Sequence, residues 1–142
     1  MQAVKDRVAE LAPFAGRTHG AAKLGELTER GGLAQVTPAA FVLPLGLSGG
    51  QSDAAAGLYR QPISRLVGVV IAVRNVRDAS GEAALVELDP FVEMVIAHLA
   101  GWGPDDAFGV LVLQRGELIS IVTGTVTYQL TFAIDDQLRI PR

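Results

Sequence analysis

Ile63-Ser64-Arg65-Leu66-Val67-Gly68-Val69-Val70-Ile71-Ala72-Val73-Arg74-Asn75-Val76 is the stretch on which the fold turns. It is rich in β-branched residues, and its apolar positions fall on both parities. Val67, Val69, Ile71 and Val73 share one face of an extended chain; Leu66, Val70 and Ala72 share the other. A strand apolar on both faces is a central strand covered on both sides. In a chain of 142 residues the helices can cover one face. The second face calls for another layer or another subunit.

On the N-terminal side lies Gly46-Leu47-Ser48-Gly49-Gly50-Gln51-Ser52-Asp53-Ala54-Ala55-Ala56-Gly57-Leu58-Tyr59-Arg60, whose four glycines and small polar residues predict a mobile loop. Residues 39–45 before it read as a short strand. Pro44 cannot donate to a ladder, so this strand lies at an edge or ends there. Further back, Val4, Val8 and Leu11 recur at helical spacing over 1–12, with Pro13 and Gly16 ending the helix. A second helix is expected over 21–30, with Leu24 and Leu27 inward and Gly31-Gly32 as its stop.

On the C-terminal side, the turn at 78–81 leads into a long helix over 82–100. Its stripe is Leu85, Leu88, Val92, Val95, Ile96 and Leu99. Pro90 interrupts the pattern, so either the helix kinks or Asp89 caps a new one. Trp102 follows the helix and reads as a plug in the core. Strands at 108–113 and 118–122 flank a tight hairpin centred on Arg115-Gly116. Beyond Gly124 the alternation is the cleanest in the chain. Val126, Tyr128, Leu130, Phe132 and Ile134 face one way; Thr125, Thr127, Gln129, Thr131 and Ala133 face the other. The order is α-α-β-β-α-β-β-β. It predicts one α+β domain over 1–142, a mixed, mainly antiparallel sheet packed against helices.

Composition narrows the function classes. The hydrophobic share is 49% and the charged share 19%, which fits a globular chain and not a disordered one. There is no cysteine, so thiol and disulfide chemistry are excluded. Lys5, Asp6, Arg7 and Glu10 leave no apolar segment for a signal peptide near the N-terminus. The longest nearly uncharged apolar run, 66–73, is far short of the ~20 residues that span a bilayer. A net charge of −3 argues against a dedicated nucleic-acid binder.

Leu47-Ser48-Gly49-Gly50-Gln51 spells the signature pentapeptide of ABC-type ATPases. That chemistry also requires a G-x-x-x-x-G-K-[ST] phosphate loop, which the chain lacks. His19 and His98 are far apart in sequence and sit in no metal-ligand spacing. Adjacent carboxylates at Asp105-Asp106 and Asp135-Asp136 point to opposite faces of an extended chain and make no acid–base pair. No nucleophile elbow is present. The residues therefore predict no enzyme, no metal and no cofactor.

Taken in order, the segments resemble the tail terminator proteins of long-tailed phages and prophages. An amphipathic N-terminal helix leads to Thr37-Pro38-Ala39-Ala40-Phe41-Val42-Leu43-Pro44-Leu45-Gly46, then to the glycine-rich segment. The long strand closes with Val73-Arg74-Asn75-Val76-Arg77-Asp78. Gly101-Trp102, Leu113-Gln114-Arg115-Gly116-Glu117-Leu118 and the aromatic strand with Tyr128 and Phe132 follow. The resemblance implies a structural subunit that assembles as a ring, typically a hexamer, in the virion tail after synthesis in the bacterial cytoplasm. Such a ring caps the tail tube, stops its polymerisation and joins a head-completion or connector protein. A head–tail connector, and a small ligand-binding domain using 46–60, are the alternatives. Candidate interface residues are Ser48, Gln51, Asp53, Tyr59, Arg60, Arg65, Arg74, Arg77, Arg115 and Glu117. The segment 46–60 is expected to be disordered in a free subunit and ordered in the assembly.

Overall fold

The computed structural model describes residues 1–29, 36–104 and 109–142. Gly31-Gly32, Asp105-Asp106 and the start of the strand expected at 108–113 lie outside the described residues. Three α-helices, α1 (Gln2–Ala9), α2 (Ala21–Glu29) and α3 (Glu82–Leu99), pack on a six-stranded sheet. The strands are β1 (Thr18–Gly20), β2 (Ala39–Gly49), β3 (Asp53–Ala55), β4 (Leu58–Arg74), β5 (Val112–Val122) and β6 (Thr125–Pro141). Their order is β1-β2-β4-β6-β5, with β3 paired to β4. Only β1 and β2 run parallel. The fold is α+β, as the segment order predicts.

The doubly apolar strand is central. β4 lies between β2 and β6, and its two faces enter two separate clusters. On the first face, Val67, Val69, Ile71 and Val73 pack with Val126, Leu130 and Phe132 of β6 and with Val4 and Val8 of α1. Ala84, Leu88, Val95 and Leu99 of α3 close that layer. On the second face, Val70 and Ala72 join Ala39 and Phe41 of β2, with Leu24 and Leu27 of α2 against them. The chain's own α2 thus covers part of the face for which the sequence called for another layer. The same face of β6 is polar: Thr125 and Thr131 are buried on it, and Thr127 and Gln129 are half-buried.

α3 runs unbroken through Pro90. Pro90 removes the hydrogen bond to the carbonyl of Val86. Val86 is 75% exposed, so the proline falls on the solvent side of the helix, where a freed carbonyl costs least. Its buried stripe is Ala84, Leu88, Val95 and Leu99, while Leu85 faces outward. The helix start is capped from outside. Asp78 accepts hydrogen bonds from the Ser80 and Ala83 amides and the Ser80 hydroxyl, and Ser80 Oγ accepts from the Glu82 amide. Ser80 and Ala83 hold the Asp78 carboxyl below its ordinary value.

Two local readings are corrected. The glycine-rich stretch 46–60 is strand rather than loop: β2 runs on through Gly49, β3 forms at Asp53–Ala55, and β4 begins at Leu58. Pairing with the long β4 supplies the backbone partners that the local composition disfavours. Pro44 is tolerated because β1 pairs only with Ala40–Val42, leaving the outer edge of β2 open there, and a bulge follows it. The hairpin turn is not at Arg115-Gly116. Residues 112–122 are one strand, and the turn falls at Thr123 (φ 47°) and Gly124 (φ 76°). Two consecutive positive φ angles suit a two-residue hairpin loop. Gly116 instead sits in the ladder opposite Leu130, where a Cβ would lie 2.7 Å from the Tyr128 hydroxyl.

Candidate assembly surfaces

The first surface is an arm. The apolar clusters end at Val67 on β4 and at Ile134 on β6. Beyond them β4 still pairs with β6 from Leu58↔Pro141 to Ser64↔Asp135, with β2 and β3 alongside. At about 3.3 Å per residue, the 17 residues of β4 span roughly 55 Å, so this ribbon extends well past the helix layer. Most of the predicted interface residues lie on it: Ser48 on β2, Asp53 on β3, Tyr59, Arg60 and Arg65 on β4, and Gln51 between strands. Arg60 pairs with Asp53 at 3.0 Å, and Arg65 reaches Asp136 at 3.7 Å. The Tyr59 hydroxyl donates to Gln61 at 3.1 Å.

Arg74 and Arg77 sit at the opposite end of β4, about 45 Å from Arg60 at strand spacing. They share no patch with the arm. The Arg74 amide donates to Thr37 Oγ1, while its buried Nε has no hydrogen-bond partner among the described residues. The Arg77 amide donates to Asn75. Arg115 and Glu117, on β5, pair with each other at 2.6 Å.

The second surface was read in the sequence only at Arg115 and Glu117, not along the apolar strand that carries them. β5 is an edge strand, bonded to β6 on one side only. Val112, Leu113, Leu118, Ile119, Ile121 and Val122 are each 37–53% exposed. Together they leave on the order of 500 Å² of apolar surface open, divided between the two faces of the strand. Edge strands that avoid partners carry lysine, proline or inward charges. β5 has no lysine or proline and its two charges pair with each other, though two bulges, at Leu113/Arg115 and Leu118/Ser120, interrupt its ladder with β6. The opposite edge is β2 from Leu43 to Gly49, which β1 leaves uncovered; Leu45 and Leu47 are exposed along it. The run Leu-Ile-Ser-Ile-Val at 118–122, uncharged and β-branched, was the available signal for the first of these edges.

Neither surface resembles a reaction centre. Leu47-Ser48-Gly49-Gly50-Gln51 leaves β2 toward β3, with no helix N-terminus to aim amides at a phosphate. The Gly50 amide is spent on the Pro62 carbonyl at 2.7 Å. His98 contacts Glu10 at 2.9 Å, and the Arg7 guanidinium lies 5.0 Å from the centroid of the Trp102 ring, which packs against the core. His19 lies against Phe41 on β1; burial first, then the charges of Lys23 and Lys5, push its pKa below 6.5. Among the described residues no three His, Asp or Glu side chains converge as a metal site.

In a comparison with protein families, the profile of the phage tail terminator proteins matches residues 1–142. The chain belongs to the phage tail terminator family. This terminator-family chain is therefore a phage tail structural protein, from a family that is structural and not enzymatic. Membership implies association with other tail components and fits a place in the virion tail. No described helix of the terminator chain is long and apolar enough to cross a membrane. No curated protein matches it.

Proposed function

We propose that this chain assembles as a homo-oligomeric ring, typically a hexamer, that caps the tail tube and ends its polymerisation. The ring then presents the surface to which a head-completion or connector protein binds. Assembly takes place in the cytoplasm of the bacterial host, and the gene belongs to a phage or prophage tail cluster. The chain catalyses nothing and recognises no nucleic-acid sequence; it works by shape and by edges that need completing.

The observation that carries this reading is the family match across all of 1–142, because every element described above falls inside it. The open β5 and β2 edges support it physically. A ring contact is heterologous, so one subunit must present two different patches, and this sheet has two different free edges. Burying about 400 Å² of apolar surface per contact gains roughly 10 kcal/mol gross. Association entropy returns much of that, which gives a ring that forms or dissolves with concentration or at a tube end.

The test is tail length. Tails assembled without this protein are expected to overgrow or to stay unjoined to heads when imaged by electron microscopy. Tails of normal, fixed length in its absence would refute the terminator role. Cross-linking to the tube subunit is expected alongside; cross-links confined to portal-side proteins would favour a connector instead.

A further inference from the structure

The two open edges have matching polarity. β2 is antiparallel to β4, β4 to β6, and β6 to β5, so β2 and β5 of one chain run in opposite directions. Rotation about a ring axis along the strands preserves strand sense. A second copy placed beside β5 therefore offers its β2 antiparallel to it, the favoured ladder. Faces match as well. Leu118 and Ile121 oppose Tyr128 and Val126 on the face of the sheet that carries α1 and α3, and Leu47 opposes Arg65 on that same face. A continued sheet would bring these leucines side by side.

The stagger also fits. The middle of the open stretch of β2, Gly46, lies in register with Leu66, Ala133 and Val112, which is the start of β5. The middle of β5, Glu117, lies in register with Gln129, Val70 and Phe41, where β1 already occupies the edge of β2. For the open stretch to meet the middle of β5, the neighbour must slide from the Ala133 level to the Gln129 level. That is four residues along the unbulged β6, spread over the four strands β2, β4, β6 and β5. One residue per strand is the ratio in an eight-stranded barrel of shear eight, whose strands tilt by about 36°. A closed cylinder of strands requires such a stagger; a flat sheet does not.

We propose that β5 of one subunit pairs antiparallel with the 43–49 stretch of β2 of a second copy of this chain, so that the sheets join into a tilted, closed β-cylinder. This rests on the ring reading and names the contact that builds the ring. The β5 edge alone offers on the order of 500 Å² of apolar surface. A standard interface needs roughly 800 Å² per partner, so the edge supplies more than half before main-chain groups and Leu45 and Leu47 are counted.

The chain has no cysteine, so single cysteines report position cleanly. The full-length variants Leu47→Cys, Leu118→Cys and the double variant are treated with a short bismaleimide, after circular dichroism confirms that each folds. The double variant is expected to give a ladder of covalent species beyond the dimer, and each single variant to remain a monomer on a denaturing gel. A folded Leu118→Lys variant is expected to be monomeric in native mass spectrometry at concentrations where the wild type assembles. Dimers from Leu118→Cys alone overturn the proposal in favour of a twofold β5–β5 contact. So does the absence of cross-linked product from the double variant. If native mass spectrometry nonetheless finds large wild-type oligomers, only the edge pairing falls and the ring stands. Tails of fixed length without the protein remove the ring-capping reading itself.

Discussion

Replacing Gly124 with alanine is expected to cost about 3–4 kcal/mol, and the structure says where that figure comes from. Gly124 has φ 76°, and a Cβ built on it would lie 2.6 Å from the Asn75 carbonyl oxygen and 2.9 Å from that of Asp78. Left-handed backbone in a non-glycine residue costs roughly 1–2 kcal/mol. Both opposing atoms are main chain, so no rotamer change relieves the contact. Moving the turn away loosens the hydrogen bonds from the Asn75 amide to the Gly124 carbonyl (3.0 Å) and from the Gly124 amide to the Ala79 carbonyl (3.2 Å). Each contributes about 1 kcal/mol net. Gly101 supplies the control. Its φ is 80°, but no described residue lies within 4 Å of its Cβ position. Gly101→Ala therefore bears the conformational cost alone, offset in part by a stiffer unfolded chain, and about 1 kcal/mol is expected. Urea unfolding followed by circular dichroism, at one low protein concentration, separates the two by roughly 2–3 kcal/mol. Equal losses within about 0.5 kcal/mol would refute the packing of the β5–β6 turn against 75–81.

Phe132 is fully buried, so Phe132→Ala is expected to cost about 3–5 kcal/mol, whereas Val86→Ala, at a 75% exposed site, should change stability by less than about 0.5 kcal/mol in the same assay. Because His19 has its pKa lowered, the unfolded chain takes up a proton before the folded one as pH falls. Its contribution is thus fully present above pH 6.5 and is lost on acidification toward the lowered folded value. His19→Asn should flatten that part of a stability–pH curve. Asp78, lowered from 3.8 by Ser80 and Ala83, contributes stability that is present above that value and lost as pH falls through its folded pKa. Asp78→Ala should lower the melting temperature at pH 7 and leave the difference from wild type smaller at strongly acid pH.

The helices and the long strands were legible because each carries its own period. α3 reads from a stripe of helical spacing and β6 from strict alternation, and both depend on neighbours three to four or two residues away. The glycine-rich arm was not legible. Gly46 and Gly49 disfavour extended structure locally, and only the ladder of β2 with β4 overrides that preference. The hairpin turn was misplaced for a related reason. Arg115-Gly116 is a fair turn by composition, but Gly116 is needed in the ladder to clear Tyr128, and the positive φ angles fall at Thr123 and Gly124. Of the predicted interface residues, the arm gathers six, while Arg74 and Arg77 stand at the far end of the sheet.

The sequence by itself determined that Leu66–Val73 would be a buried central strand, because β-branched residues on both parities can be hidden only from both sides. It also determined the α+β class and the absence of any thiol, and its ordered segments matched a tail subunit. Only the tertiary structure decided which strands would be edges. Edge or centre is a property of what pairs beside a strand, not of the strand's own residues. That is why the apolar residues of β5 carried no mark of an edge in one dimension and proved, with β6 paired on one side, to line an open seam.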